Sequence, residues 1–168
     1  MDLKNFNLAP LYAIDKEWAL LTAGTKDKFN TMTISWGGLG TIWNKPVVTV
    51  YVKPIRYTYE FMESNEYFTM SFYDEKYKED LGILGSKSGR DLDKVALTKL
   101  TPEFLENTTS FKEAKLTLVC KKIYFQDLNI NNIATNSIPS KDFDRFYKTE
   151  PMHRMYIGEV VDIIDRRK

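Results

Sequence analysis

The stretch Pro46-Val47-Val48-Thr49-Val50-Tyr51-Val52 is nearly all apolar and is rich in β-branched side chains. Such residues suit a pleated, buried backbone, so the stretch predicts a central β-strand covered on both faces. Pro54 ends the strand, and Tyr57 and Phe61 then follow at the i, i+4 spacing of a short amphipathic helix over 55–64. A strand that runs directly into a helix is therefore the local unit from which the fold is predicted.

Other runs of β-branched and aromatic residues predict five more strands. They are Trp18 to Ala23, Thr31 to Trp36, Tyr67 to Phe72, Leu116 to Phe125 and Met155 to Ile164. A second helix is predicted to open at Asp74-Glu75-Lys76 and a third to cover Lys141 to Tyr147, after Pro139. Strands and helices do not alternate regularly, which favours a mainly β fold with short helices, a closed or partly closed antiparallel barrel, over a doubly wound sheet.

Composition limits the chemistry that the chain can perform. Its 168 residues predict a single domain over 1–168, and 24 basic against 23 acidic residues give a net charge of +1. No global field exists to attract nucleic acid or an anionic membrane, so any anion site must be local. One His and one Cys exclude a clustered metal site and a disulfide framework. With 23 aromatic residues beside that scarcity (3 Trp, 10 Tyr and 10 Phe), an enzyme of this composition would borrow its chemistry from a cofactor.

The N-terminal residues show no basic segment followed by an apolar one, and no apolar run approaches the roughly 18 residues of a membrane helix. We therefore expect a cytoplasmic protein with no membrane partner. The lone Cys120 falls in the strand-like run 116–125, which predicts a small buried hydrophobe. The alternative, a redox-active thiol, would require an accessible, electropositive setting.

Hydroxyl groups recur along one predicted strand. Thr31, Thr33 and Ser35 alternate with apolar residues, and a glycine-rich bend follows at Gly37-Gly38-Leu39-Gly40. Such a face, with Asn30 beside it, could bring hydroxyl and backbone N–H groups to a ligand. The alternative is an ordinary amphipathic strand that ends in a turn.

The start of the predicted helix 55–64 has the composition of an anion seat. Arg56, Thr58 and the free N–H groups of the first helical turn could converge on one phosphate. The alternative is a surface arginine that lies over Tyr57 or Tyr59 and pairs with Glu60.

Three further features each have two interpretations. The segment from Gly82 to Lys94 is predicted to be a flexible polar loop, or a flap over a cofactor. His153 is either structural or a hydrogen-bond donor near a ligand. The run Lys121-Lys122-Ile123-Tyr124-Phe125 would suit single-stranded nucleic acid, although the near-neutral charge opposes that function.

Together, these features resemble the flavin reductase-like, FMN-binding split-barrel family, which includes flavoredoxin-like proteins. The resemblance extends from about Trp18 to Val161. Four blocks carry it: Asn30-Thr31-Met32-Thr33-Ile34-Ser35-Trp36-Gly37; Trp43-Asn44-Lys45-Pro46-Val47 through Arg56-Tyr57-Thr58-Tyr59; Ser86-Lys87-Ser88-Gly89-Arg90-Asp91-Leu92-Asp93-Lys94; and His153-Arg154-Met155-Tyr156-Ile157-Gly158-Glu159-Val160.

The resemblance implies a Greek-key split barrel that forms a homodimer and binds FMN near the subunit interface. By position in the family's motifs, the flavin would contact Asn30, Thr31, Met32, Thr33, Ser35 and Trp36. Its phosphate would be held by Arg56 and Thr58, and a loop would approach with Ser86, Ser88, Gly89 and Lys94. His153 would border the isoalloxazine or nicotinamide site, as the candidate catalytic residue.

The function implied is reduction of FMN by NADH or NADPH, with hydride passing from C4 of the nicotinamide to N5 of the flavin and electrons passing onward to an acceptor protein. Because the cofactor performs the difficult chemistry, the protein need only orient and tune it. Lys94, if it lay beside N1 of the ring, would favour the reduced anion by Coulomb attraction. The alternative function is an FMN-containing electron carrier without a nicotinamide site of its own.

Overall fold

The computed structural model describes residues 3, 6–134 and 137–167. Nine strands lie within these residues: β1 Ala19–Gly24, β2 Phe29–Ile34, β3 Gly37–Ile42, β4 Lys45–Val52, β5 Tyr67–Phe72, β6 Pro102–Phe104, β7 Thr109–Phe111, β8 Leu116–Asp127 and β9 Arg154–Asp165. The α-helices are α1 Pro10–Tyr12, α2 Tyr57–Ser64, α3 Lys78–Ser86 and α4 Ser140–Tyr147. A π-helical turn, Ala13–Glu17, extends α1.

Seven strands form one antiparallel sheet in the order β2-β1-β5-β8-β9-β4-β3, and β6 pairs with β7 in a small second sheet. The two edge strands of the large sheet, β2 and β3, are consecutive in the chain and are joined only by Ser35 and Trp36. The strand ends Ile34 and Gly37 are three Cα steps apart and can lie at most about 11 Å from each other, so the sheet must curl until its edges meet at that end. The result is a barrel that stays split between β2 and β3.

The barrel interior is filled by apolar side chains from every strand of the large sheet except β3, whose half-buried Leu39 packs against that core. Val48, Val50 and Val52 of β4 are fully buried there, while Thr49 and Tyr51 on the other face are only half-buried. The predicted central strand therefore exists, but only one of its faces is fully covered. Cys120 is completely buried in the same core, which confirms its prediction as a small hydrophobe.

A second apolar cluster lies outside the barrel, beneath α3. Leu81 and Leu84 of this helix pack with Leu20, Phe111 and other buried residues. α3 also lies against β2, where the Thr33 hydroxyl donates a hydrogen bond to the Leu81 carbonyl. This packing fixes the C-terminal end of α3 beside the strand that carries Asn30 to Ile34.

One glycine of β9 is required by close packing. A Cβ at Gly158 would lie only 2.5 Å from Cζ of Phe68, a side chain fully buried in the barrel.

The pairing of β8 with β9 shifts register twice, between Val119 and Cys120 and between Lys122 and Tyr124 of β8. Such bulges bend long strands, which helps twelve-residue strands to follow a curled sheet.

The mainly β, antiparallel architecture predicted from the sequence is confirmed, as are all six predicted strands and the three helical regions. Three local predictions were wrong. The strand predicted to reach Trp36 ends at Ile34, and Gly37 to Gly40 belong to β3 instead of forming a bend. The segment from Gly82 to Lys94 is not a loop throughout, since α3 continues to Ser86.

Candidate functional site

Two cavities adjoin at the end of the barrel where β2 and β3 are linked. The first, here called the loop cavity, has a volume of about 220 Å³ and lies between the start of α2 and the segment that follows α3. The second, the α4 cavity, has a volume of about 270 Å³ and lies between Ser35, Trp36 and the C-terminal end of α4. Met32, Ile55 and Arg56 line both cavities, so together they form one groove.

Arg56 stands at the junction of the two cavities. Its Nη2 donates a hydrogen bond of 2.8 Å to the carbonyl of Gly85, at the end of α3. Within the described residues this is the only protein partner of its five N–H donors. Burial lowers the pKa of the guanidinium, and nearby Glu150 opposes that shift, but an arginine remains charged at any physiological pH. Arg56 thus presents unused donors and a positive charge to the groove.

The first turn of α2 adds further donors. Asn30 Nδ2 donates a hydrogen bond of 2.8 Å to Thr58 Oγ1, so the Thr58 O–H itself remains available to donate. The N–H groups of Tyr57 and Thr58 have no partner within the helix, whereas the Tyr59 N–H donates a hydrogen bond of 2.9 Å to the carbonyl of Arg56. A Cβ at Gly89 would lie 2.3 Å from Asn30 Oδ1, so only glycine allows the 86–94 segment to approach this closely.

Lys94 completes the positive side of the loop cavity. It is 3% exposed, and its Nζ donates to the carbonyls of Leu84 (2.8 Å) and Lys87 (3.2 Å) at the C-terminal end of α3. Burial and, to a lesser degree, the charge of Arg56 lower the pKa of Lys94 to about 8. The structure therefore places Lys94 beside Arg56 in the loop cavity and not in the α4 cavity.

Aromatic rings form part of the lining of the α4 cavity, together with Lys53, Arg56 and Glu150. Trp36 is 39% exposed and meets the ring of Phe146 edge-on at 4.9 Å between centroids, and the ring of His153 at 5.0 Å. Lys53 holds this end of α4 in place, because its Nζ donates to the carbonyl of Phe146 at 2.7 Å and pairs with the Glu150 carboxylate. The cavity thus offers flat apolar surfaces with one ion pair at its margin.

His153 is neutral in this environment. Burial, together with the nearby charge of Lys53, lowers its pKa to about 4, although Glu150 acts in the opposite direction. Its Nδ1 lies 3.1 Å from the hydroxyl of Tyr147. A neutral imidazole carries one N–H and one acceptor nitrogen, so His153 can both donate and accept.

The groove collects eleven of the twelve residues predicted to contact a cofactor. They are Asn30, Met32, Thr33, Ser35, Trp36, Arg56, Thr58, Ser86, Ser88, Gly89 and Lys94, and the candidate His153 lines the α4 cavity with them. Thr31 is the exception, since it is fully buried and its hydroxyl bonds to Thr22 at 2.8 Å, inside the sheet. Whether these residues bind a cofactor stays a prediction.

Sequence reasoning overlooked part of the α4 cavity. Tyr51, Lys53, Phe146 and Glu150 line it and were not predicted as site residues. The only sequence feature that pointed to them was their position near residues already considered, since Lys53 directly precedes Pro54 and Glu150 lies three residues before His153.

A surface arginine paired with Glu60 was the alternative interpretation of Arg56, and it describes Arg90 instead. Arg90, not Arg56, lies over the ring of Tyr57 (5.0 Å) and pairs with Glu60. It also donates a hydrogen bond of 3.0 Å to the carbonyl of Ile55. Arg90 is therefore engaged on the outer side of α2, whereas Arg56 faces the groove.

The described residues give no support to a membrane span, a clustered metal site or a free cationic nucleic-acid strand. No helix in the described part of the chain is long and apolar enough to cross a membrane. Residues 3, 6–134 and 137–167 contain no group of three or more His, Cys, Asp or Glu that could hold a metal ion. Lys122 donates to the carbonyls of Met62 and Glu63, and Lys121 lies near the Glu66 carboxylate, so neither cation of the proposed nucleic-acid strand is without a partner.

Comparisons with known proteins identify the family. Residues 11–168 match the family described as "Flavin reductase like domain", and the chain belongs to this family. A search of curated protein sequences found no match.

Solved structures share the fold at low sequence identity. Flavoredoxin from Methanosarcina acetivorans has 21% identity and a TM-score of 0.68, over 98% of this chain and 74% of that one. An FMN-binding protein from Thermus thermophilus, solved with bound 1-cyclohex-2-enone, has 17% identity and a TM-score of 0.70, over 99% and 80%. A protein from Shewanella frigidimarina described as having a split barrel domain has 21% identity and a TM-score of 0.68, over 89% and 67%. The fold is thus the split barrel that the sequence predicted.

Proposed function

We propose that this chain binds FMN in the groove and is an NAD(P)H-dependent flavin reductase. The observation that carries the proposal is the junction of two chemically different cavities at Arg56. The loop cavity includes cations, hydroxyls and a glycine-rich segment, which suit a phosphate. The α4 cavity adds the flat rings of Trp36 and Phe146, which suit a fused ring system. Family membership and the structural likeness to FMN-binding proteins give independent support.

The residues present fit FMN. Arg56 has unused N–H donors, and the Thr58 hydroxyl and the first turn of α2 add uncharged ones. These groups would hold the phosphate, with Lys94 contributing charge from the side. The aromatic α4 cavity would receive the isoalloxazine, where Ser35 could donate a hydrogen bond. Bound flavin would supply the redox chemistry, taking hydride from a nicotinamide nucleotide and passing electrons onward to an acceptor.

The protein itself would bind, orient and exclude water. Trp36 and Phe146 offer stacking surface for the ring system or for a nicotinamide, and the Lys53 ion pair holds α4 over the cavity. Neutral His153 would border the reacting atoms as a hydrogen-bonding group. We further propose a homodimer, with the half-buried outer face of β4 contributing to the contact, acting in the cytoplasm where NADH and NADPH are available.

A second function is favoured by the flavoredoxin neighbours. In that function the bound FMN would receive electrons from a protein partner, and the chain would have no nicotinamide site. The two functions share the FMN groove and differ only in what reduces it.

Anaerobic stopped-flow absorbance separates the two functions. The FMN-loaded protein is mixed with NADH or with NADPH, and bleaching of the flavin band is followed. We expect rapid bleaching that saturates with one of the nucleotides. A protein that binds FMN but bleaches with neither nucleotide would overturn the reductase and leave the electron carrier.

A further inference from the structure

A hydrogen-bonded pair of side chains connects two cavities at the C-terminal end of α4. Tyr147 is the last residue of α4, and His153 directly precedes β9. The Tyr147 hydroxyl lies 3.1 Å from His153 Nδ1, and the two rings meet edge to face with centroids 5.8 Å apart. His153 lines the α4 cavity. Tyr147 instead lines a separate cavity of about 260 Å³, here called the outer cavity, with Gln126, Asp127 and Asn129 among its polar lining residues.

We propose that Tyr147 and His153 form a proton relay from the outer cavity to the α4 cavity, and that it protonates an organic acceptor reduced there. The acceptor class is a conjugated carbonyl, such as a quinone. This inference rests on the proposed function, which supplies the hydride. It assigns Tyr147 a role that neither the composition nor the spacing of the sequence indicates.

The relay requires a neutral imidazole with its two nitrogens in different roles. The groups that face His153 are Lys53, which directly follows β4, Glu150 from the loop after α4, and Tyr147 from α4. The adjacent Trp36 is uncharged. If the Tyr147 hydroxyl donates to Nδ1, the single imidazole proton resides on Nε2, and this nitrogen can donate to an acceptor in the α4 cavity. The imidazole then passes a proton on without gaining net charge.

The chemical step balances as follows. A quinone that receives a hydride becomes the quinol anion, and its oxygen must take one proton. The Nε2 proton goes to that oxygen, Nδ1 takes the Tyr147 proton, and the Tyr147 oxygen takes a proton from water in the outer cavity. The net change is one quinone, one hydride and one proton converted to one quinol.

Nuclear magnetic resonance can test the pair without any flavin. Since His153 is the only histidine of the chain, its ring nitrogens can be assigned without ambiguity. We expect the Nε2–H tautomer in the wild type, and a change in the chemical shift of Nδ1 in Tyr147→Phe, where that nitrogen loses its hydrogen bond. A dominant Nδ1–H tautomer in the wild type, or an Nδ1 chemical shift unchanged in Tyr147→Phe, would overturn the relay.

A kinetic test uses the flavin-loaded protein after reduction by dithionite, so that no nicotinamide is needed. Reoxidation is followed with menadione, which takes a proton, and with ferricyanide, which takes electrons only. We expect Tyr147→Phe to lower the ratio of the menadione rate to the ferricyanide rate about tenfold or more, and to reduce the solvent isotope effect with menadione. Tyr124→Phe, which removes an exposed hydroxyl that donates a hydrogen bond to Gln126, is the matched control.

An equal fall of both rates in Tyr147→Phe would show a structural role for Tyr147 and would overturn the relay. An unchanged ratio would overturn it as well. The proposed function fails separately, if the wild type shows no saturable binding of FMN. In that case the nuclear magnetic resonance measurement still shows whether Tyr147 and His153 are hydrogen-bonded.

Discussion

Arg56 is the residue on which the anion seat depends. If its unused N–H groups hold a phosphate, Arg56→Ala should weaken FMN binding by about 1.5–3 kcal/mol, or about ten- to hundredfold in Kd, because hydrogen bonds to charged groups are worth that much. Riboflavin lacks the phosphate and should lose far less. Isothermal titration or flavin fluorescence gives both affinities.

Arg90 provides the control for that prediction. It carries the same charge close by, but its contacts are with Glu60, Tyr57 and the Ile55 carbonyl on the outer side of α2. Arg90→Ala should therefore change the ratio of FMN to riboflavin affinity little. Equal losses of both flavins in Arg56→Ala would show that Arg56 does not bind the phosphate.

Lys94 predicts how FMN binding depends on pH. Its pKa is lowered to about 8, so the free protein loses this charge as the pH rises through 8. The flavin phosphate is largely a dianion above about pH 6, so attraction is greatest between pH 6 and 8. The Kd for FMN should rise between pH 7 and 9, whereas that for riboflavin should stay level. Lys94→Met should flatten the FMN profile, and a profile unchanged by that substitution would contradict the assignment.

At the scale of elements, α3 contains two glycines with opposite surroundings. A Cβ at Gly82 would have no neighbour within 4 Å, whereas one at Gly85 would lie 3.1 Å from Cβ of Thr33. Gly82→Ala should stabilise the protein by about 0.5–1 kcal/mol through helix propensity alone. Gly85→Ala should stabilise the protein less, or destabilise it, because the added Cβ would push α3 away from β2. The same movement would displace the Gly85 carbonyl, which accepts the hydrogen bond from Arg56.

Chemical denaturation of the two alanine variants measures this difference, and FMN titration shows whether the shift reaches the site. Gly82→Ala should leave the FMN affinity unchanged, and Gly85→Ala should weaken it. Equal stability and equal affinity in both variants would mean that the contact of α3 with Thr33 does not position Arg56.

The elements that sequence predicted well are those with a strong periodic pattern. Tyr67 to Phe72 was predicted with its observed bounds, because its three aromatic residues and Thr69 have high β-propensity and specify a strand locally. β3 was missed because three of its six residues are glycine, which has low β-propensity. The strand forms through its pairing with β4 and the packing of Leu39, which are tertiary contacts. β3 and β4 are joined by the two-residue turn Trp43-Asn44, and both residues have a positive φ, as a hairpin turn requires. The asparagine was the only sign of this hairpin in the sequence.

Site residues were predicted from the sequence where their chemical type suggests a role. They were missed where only the fold brings them to the groove. Hydroxyls, glycines and Arg56 could be selected from their chemistry and from the family resemblance. The contribution of α4 could not, because Phe146 and Tyr147 come near Trp36 and His153 only after β9 pairs with β4 and β8. Thr31 is the one predicted residue that does not line the groove, since it is buried and its hydroxyl is bonded to Thr22 inside the sheet.

At the scale of the whole molecule, the split in the barrel explains where the groove lies. The sheet edges meet at Ser35 and Trp36, and the elements that line the groove, α2, the end of α3 and α4, gather round that junction. A chain with a net charge of +1 has no overall attraction for anions, so the cations must be concentrated locally. Arg56 and Lys94 supply this local positive charge in the loop cavity.

The central claim is that this groove holds one FMN in each chain. Native mass spectrometry of the purified protein, before and after incubation with excess FMN, tests it most directly. The account predicts complexes that carry one FMN per chain, in a species of two chains and two flavins, with the flavin signal lost in Arg56→Ala at the same concentration. A wild-type protein that shows no FMN adduct even in excess flavin would contradict it.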